Sequence, residues 1–118
     1  MKRVMIVDDA GIMRASLKVM LEKNGYEVCG EAENGIVAVS KYKELLPDII
    51  TMDITMPLMD GIKALNAIKA INKDVKVLML SAMGQDALVA EAVLSGARGF
   101  VVKPFKEEVL INALKKLE

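Results

Sequence analysis

Five polar residues stand where apolar runs of the sequence end, and their side chains could together perform phosphate chemistry. They are Asp8, Asp9, Asp53, Ser81 and Lys103. Carboxylate oxygens are the ligands that Mg²⁺ prefers, and clustered carboxylates repel one another unless a cation lies between them. Magnesium and a lysine stabilise phosphoryl oxygens, and a carboxylate beside them can be the nucleophile that forms an acyl phosphate.

Each of these residues also has an ordinary structural explanation. Asp8 or Asp9 could cap the helix that follows, and so could Ser81. Asp53 could form a turn, and Lys103 could be a surface lysine, which is the usual place for that residue. Two adjacent acids exceed the need of a single cap, however, and an unpaired charge in the apolar stretch around Asp53 would be costly. Because the structural explanation needs five separate coincidences, we favour a shared functional site.

The rest of the chain alternates between short runs typical of strands and longer amphipathic stretches typical of helices. Strands are predicted over 4–7, 27–32, 48–52, 75–80 and 99–102, and helices over 11–23, 35–46, 61–71, 85–95 and 107–117. Strict alternation with apolar strands predicts an α/β fold in which helices cover both faces of a doubly wound parallel sheet. The carboxyl ends of such strands lie on one edge, where ligands bind, so the five polar residues should converge there.

The composition narrows the chemistry further. The 118 residues include no histidine and a single cysteine, Cys29, which excludes histidine-dependent triads, His-ligated zinc and intrachain disulfides. The 16 basic and 16 acidic residues balance with no basic block, and the apolar runs are far shorter than the ~20 residues of a membrane span. We therefore expect one domain over 1–118, in a monomeric cytoplasmic protein that binds neither nucleic acid nor a membrane.

Four segments of the sequence resemble the receiver domain of bacterial response regulators. They are VMIVDD at 4–9, DITMPLMDG at 53–61, LSA at 80–82 and KPF at 103–105. Each is weak alone, but the combination is specific, and the similarity is strongest to the stand-alone chemotaxis members of the family. The resemblance implies a flavodoxin-like five-stranded sheet in the order 2-1-3-4-5. It also implies a phosphoacceptor signalling protein rather than an enzyme, which takes a phosphoryl group from a CheA-like histidine kinase, uses Mg²⁺, and slowly loses the group by itself.

The resemblance assigns roles to the residues of the acidic site. Asp53 matches the phosphoacceptor. Asp9 and Asp53 match the direct Mg²⁺ ligands, joined by the backbone carbonyl of Thr55, while Asp8 acts largely through metal-bound water. Lys103 matches the lysine that pairs with the acceptor carboxylate and then with the phosphoryl oxygens.

A second group of residues matches the switch that reports phosphorylation. Ser81 matches the hydroxyl that binds a phosphoryl oxygen, assisted by the amide of Ala82, and Phe100 matches the aromatic residue that turns inward. The helix predicted over 85–95 is more apolar than one packed stripe requires, so Val89 and Val93 are expected to form an exposed strip beside Phe100. A flagellar-motor switch protein or another signalling protein would dock there, and a phosphatase is a further expected partner.

Three other functions fit parts of the pattern. A Mg²⁺-dependent aspartyl phosphohydrolase also uses an aspartate nucleophile, but such enzymes usually carry a second acid two residues later, where this chain has Thr55, and a cap domain for which it has no length. A receiver domain detached from a larger regulator, with a DNA-binding or enzymatic output, would have the same residues. A scaffold that works without phosphorylation is disfavoured, because every residue of the acceptor site is present.

Overall fold

Five strands and five helices alternate along the chain, as the sequence predicts. The computed structural model describes residues 1–118. The strands are β1 (Arg3–Val7), β2 (Glu27–Ala32), β3 (Ile49–Asp53), β4 (Lys76–Ala82) and β5 (Gly99–Lys103), and the helices are α1 (Gly11–Lys23), α2 (Gly35–Leu45), α3 (Gly61–Ile71), α4 (Asp86–Leu94) and α5 (Glu107–Leu117). None of the helices combines the length and the apolar character that a membrane span requires.

The five strands form one parallel sheet in the order β2-β1-β3-β4-β5. This confirms the predicted doubly wound, flavodoxin-like arrangement. Two apolar clusters flank the sheet: one is built on α2, α3 and α4, and the other on α1 and α5. The helices therefore cover both faces, because each crossover between parallel strands returns the chain across one face or the other.

Burial on both faces explains why the inner strands are almost entirely apolar. In β1, Val4 and Ile6 pack in the α1/α5 cluster, while Met5 and Val7 pack in the α2–α4 cluster. All four side chains are fully buried. The edge strand β2 is buried only at Ala32, because just one of its sides pairs with another strand. The polar residues that end the inner strands are therefore placed by a rigid apolar framework.

The structure extends three strands beyond their predicted carboxyl ends: β3 reaches Asp53, β4 reaches Ala82 and β5 reaches Lys103. Ser81 and Lys103 are part of β4 and β5, whereas the sequence placed them just after those strands. Strand pairing accounts for the difference, because the register joins Ser81 to Val102 and Ala82 to Lys103. Backbone pairing thus fixes the position of both functional candidates, which a loop would not do.

Candidate functional site

Three carboxylates meet at the carboxyl edge of the sheet, as the sequence predicts. Asp8 and Asp9 follow β1 and Asp53 ends β3. One carboxylate oxygen of each lies within 4.8 Å of the other two. Asp8 is buried and Asp9 is exposed, so the group opens to solvent on one side only. An all-oxygen set of this kind, with no imidazole or thiolate, suits a hard divalent cation such as Mg²⁺.

Neither of the first two acids caps the helix that follows. The N-cap residue of α1 is Ala10, which makes no side-chain cap. The carboxylate of Asp8 instead accepts a hydrogen bond from the Ala10 amide at 2.9 Å, and Arg14 donates to the Asp8 backbone carbonyl at 2.7 Å. The local structure therefore fixes Asp8 and leaves Asp9 free to face the solvent side of the site.

Lys103 reaches the site from β5 and contacts two of the acids. Its Nζ lies 2.7 Å from Asp8 Oδ2 and 3.5 Å from Asp53 Oδ1. The resemblance predicts a pair with the acceptor carboxylate, and the structure adds that the shorter contact is to Asp8. One lysine cannot neutralise three carboxylates, so the site keeps a net negative charge that a further cation would offset.

The electrostatics of the site act most strongly on Asp53. Burial raises the pKa of this carboxyl from its ordinary value of 3.8 to about 6, because Lys103 offsets only part of the loss of hydration and the charges of Asp8 and Asp9 add to the shift. The Asp53 side chain is 13% exposed. The protein alone therefore stabilises the ionised form of Asp53 poorly, and a bound cation would favour that form and lower the pKa.

The loop after β3 returns directly onto Asp53. The Gly61 amide donates to the Ile54 carbonyl at 2.7 Å. A Cβ atom at Gly61 would overlap the carbonyl oxygen of Asp53, so only glycine fits where α3 begins. Asp60 caps the same helix, since its side chain accepts from the Lys63 amide at 2.9 Å. The sequence did not indicate this close approach.

Ser81 contributes a buried hydroxyl that has no hydrogen-bond partner. The residue is fully buried in β4, and its Oγ is unpartnered. It does not cap α4, whose N-cap residue is Gln85. A buried hydroxyl without a partner is costly, so a ligand that brought an oxygen within hydrogen-bond distance of Ser81 would be stabilised on binding. Thr51 Oγ1, one strand away, is also unpartnered.

Sequence reasoning missed one residue at the mouth of the site, Gln85. The Ala82 amide donates to Gln85 Oε1 at 2.7 Å, and Gln85 Nε2 donates to Thr55 Oγ1 at 2.8 Å. The side chain thus joins the loop after β3 to the loop after β4. No motif marks Gln85, because a helix-start glutamine is ordinary in sequence and its partners depend on how the two loops fold.

The predicted partner surface is an open apolar groove between α4 and β5. Phe100 is 50% exposed and Val93 is 48% exposed, and both line the groove together with Val89. The prediction that Val89 is exposed is wrong in part. The residue is half-buried because it packs against the α2–α4 cluster. The prediction that Val93 is exposed is confirmed, and Leu94 joins it on the exposed rim of the groove.

Comparisons with known proteins place the chain in a family. The model of the response regulator receiver domain matches residues 4–115. The chemotaxis protein CheY of Thermotoga maritima is 56% identical, with 98% of this chain and 97% of that protein aligned. CheY of Bacillus subtilis is 54% identical, over 97% of this chain and 95% of that one.

A solved structure gives the same result. The crystal structure of the CheX-CheY-BeF3-Mg complex from Borrelia burgdorferi matches with a TM-score of 0.94 and 36% identity, over 98% of this chain and 88% of that chain. The strand order, the acidic cluster at the carboxyl edge and these similarities agree. The chain belongs to the response-regulator receiver family and is closely related to the CheY chemotaxis regulators.

Proposed function

We propose that Asp53 accepts a phosphoryl group from the phosphohistidine of a CheA-like histidine kinase, and that the phosphorylated protein changes its affinity for a signalling partner. The observation that carries this proposal is the position of the Asp53 carboxylate, within 4.8 Å of two other carboxylates and 3.5 Å from Lys103. As a phosphoacceptor in the cytoplasm, the protein would relay a signal without transforming a substrate.

The residues supply each requirement of the transfer. Because the pKa of Asp53 is about 6, the carboxyl is mainly ionised at neutral pH, and one of its oxygens can attack phosphorus. An O–P bond forms as the P–N bond to the kinase imidazole breaks, and the freed nitrogen keeps the electron pair. Lys103, already 3.5 Å from the acceptor carboxylate, is positioned to stabilise the transferred oxygens.

Mg²⁺ fits the donor set of this site. Asp9, Asp53 and the backbone carbonyl of Thr55 would hold it, with Asp8 acting through water. The ion, when bound, supplies positive charge to the carboxylates and to the incoming phosphoryl oxygens. The acidic cluster is open to solvent at Asp9, which makes a shallow site rather than a closed cage, so we expect weak binding without phosphate.

The switch uses Ser81, Ala82 and Phe100. The unpartnered Ser81 hydroxyl would bind a phosphoryl oxygen and the Ala82 amide would assist. Movement of Ser81 would vacate space that Phe100, half-exposed at the groove, fills by turning inward. That rearrangement would reshape the groove and shift the protein toward a partner-binding state.

The proposed partner of the groove is a flagellar-motor switch protein or another signalling protein. Support comes from the relatives, which are chemotaxis proteins, and from the Borrelia structure, in which CheY is in complex with CheX. A phosphatase that reaches the Asp53 site is a further proposed partner. We place the whole exchange in chemotaxis and the control of flagellar rotation.

Phosphorylation can be tested without knowing the kinase. The protein is incubated with Mg²⁺ and a small acyl phosphate, and intact mass spectrometry measures phosphoryl uptake. We expect uptake that excess chelator prevents, and Ser81→Ala should still be labelled because its hydroxyl acts after transfer. Full labelling in chelator would refute the metal requirement, and no labelling of Ser81→Ala would place Ser81 in the transfer step itself.

A further inference from the structure

Gln85 occupies a hydrogen-bond donor that the proposed switch requires. The Ala82 amide is the donor that would assist in binding a phosphoryl oxygen, yet in this structure it donates to Gln85 Oε1 at 2.7 Å. A backbone N–H makes one strong hydrogen bond, so the glutamine oxygen and a phosphoryl oxygen compete for the same donor. The contact also fixes the orientation of the Gln85 amide, since only its oxygen can accept from an N–H.

The other end of the Gln85 side chain is held as well. Nε2 donates to Thr55 Oγ1 at 2.8 Å, and Thr55 lies two residues after Asp53. The two hydrogen bonds, here called the Gln85 bridge, therefore connect the loop that follows the acceptor strand to the loop that follows Ser81. Both loops border the place where the phosphoryl group would lie.

The bridge is not explained by the needs of α4. Gln85 is the N-cap residue of that helix, but its side chain makes no cap hydrogen bond. Its backbone carbonyl accepts the first helical hydrogen bond, from the Val89 amide at 2.9 Å. Release of the side chain from Ala82 would therefore act at the first turn of the helix that lines the groove, where Val89 lies.

We propose that Gln85 is a positioning residue that withholds the Ala82 amide in the resting protein, so that the phosphoryl group must displace it to complete the switch. The inference rests on the proposed function. Its consequence is that the Gln85 bridge lowers the affinity of the resting site for a phosphoryl group and links occupation of Asp53 to the start of α4. If Gln85 competes with the phosphoryl group, removing the bridge should raise the affinity of the site. If Gln85 instead bound the phosphoryl group, its removal would lower that affinity.

The test uses Gln85→Leu, which keeps the size of the side chain and removes both hydrogen bonds. The probe is beryllofluoride with Mg²⁺, which imitates a phosphoryl group on a carboxylate. We expect the affinity to rise roughly fivefold, the equilibrium weight of one net hydrogen bond. Gln85→Glu keeps the acceptor but adds a negative charge near the anion, so its affinity should fall below that of the unaltered protein. Asn66→Leu, at an exposed position on α3, is the matched control and should leave the affinity unchanged.

A second readout needs neither metal nor probe. Hydrogen exchange of the Ala82 amide, measured by NMR in the free protein, should become several-fold faster in Gln85→Leu and stay slow in Gln85→Glu. Unchanged exchange would overturn the bridge itself. Faster exchange with unchanged or weaker beryllofluoride binding would show that Gln85 does not compete for the amide. If the unaltered protein bound no beryllofluoride, both the proposed function and the proposed competition for the Ala82 amide would be refuted. The hydrogen-exchange result would still show whether the Gln85 bridge exists.

Discussion

Replacing Asp53 with asparagine should stabilise the metal-free protein at neutral pH, and the gain should disappear in acid. Burial, aided by Asp8 and Asp9 and opposed by Lys103, raises the pKa of the Asp53 carboxyl from 3.8 to about 6. Below the lower value the carboxyl is protonated in the folded and unfolded states alike, so its charge has no effect. As the pH rises from 3.8 to about 6, the unfolded chain ionises while the folded carboxyl keeps its proton, so stability is lost across that interval and falls no further above it.

The size of this effect follows from the two pKa values. The interval between 3.8 and about 6 corresponds to a ceiling of about 3 kcal/mol in the free energy of unfolding. Because the side chain lies at a solvent-facing mouth, screening reduces the expected gain of Asp53→Asn to about 1–2 kcal/mol at about pH 8.

Urea unfolding in the presence of chelator, from about pH 4 to about pH 8, measures the difference between the variant and the unaltered protein. Asp74→Asn is the matched control, since Asp74 is exposed, and it should change stability by less than about 0.5 kcal/mol at every pH. Added Mg²⁺ should then stabilise the unaltered protein more than Asp53→Asn, because the ion binds its ligands only in the folded state. A variant that is less stable at about pH 8 would show that Lys103 outweighs burial, and a variant equally altered at both ends of the range would show that the charge of Asp53 is not the cause; either result would refute the reasoning.

Three further changes test other parts of the structure. Gly61→Ala should lower the free energy of unfolding in urea by at least about 2 kcal/mol, because its Cβ would overlap a carbonyl oxygen at the end of β3. Gly11→Ala, at the matching first position of α1, has room for a Cβ and should be neutral or stabilising. Equal effects of the two substitutions would contradict the close approach. Asp9→Ala should abolish Mg²⁺ binding in a calorimetric titration, and an unchanged affinity would contradict the proposed metal site. Val93→Asp, on the exposed rim of the groove, should weaken binding of the partner and leave phosphoryl uptake intact. Val19→Asp, on the exposed side of α1, should alter neither. Unchanged partner binding in Val93→Asp would place the partner surface elsewhere.

The parts of the fold that depend on backbone pairing and burial could be predicted from the sequence. Apolar runs such as 4–7 become inner strands because both of their faces are covered, and the carboxyl ends of parallel strands necessarily share an edge. The meeting of Asp8, Asp53 and Lys103 follows from that topology, although the residues are far apart in sequence. Placement at one edge was therefore predictable from strand ends alone.

Details that depend on side-chain orientation and loop conformation could not be predicted. That Lys103 lies closer to Asp8 than to Asp53 reflects how Asp8 is fixed by its own local hydrogen bonds. The Gln85 bridge depends on two loops whose distance apart no sequence pattern encodes. The orientation of α4 was ambiguous because apolar residues surround the helix, so the pattern did not indicate which side chain faces the sheet. In the structure that residue is Ala92, with Val89 only half-buried.

Locating the transferred phosphoryl group tests the central claim most directly. The protein is incubated with Mg²⁺ and a small acyl phosphate, treated with borohydride to convert the acyl phosphate into a stable homoserine, and examined by peptide mass spectrometry. We predict that the modification falls on Asp53 and on no other carboxylate, and that Asp53→Asn takes up no phosphoryl group under the same conditions. Modification at Asp8 or Asp9, or acid-labile and magnesium-dependent phosphate on Asp53→Asn, would contradict the assignment of Asp53 as the acceptor.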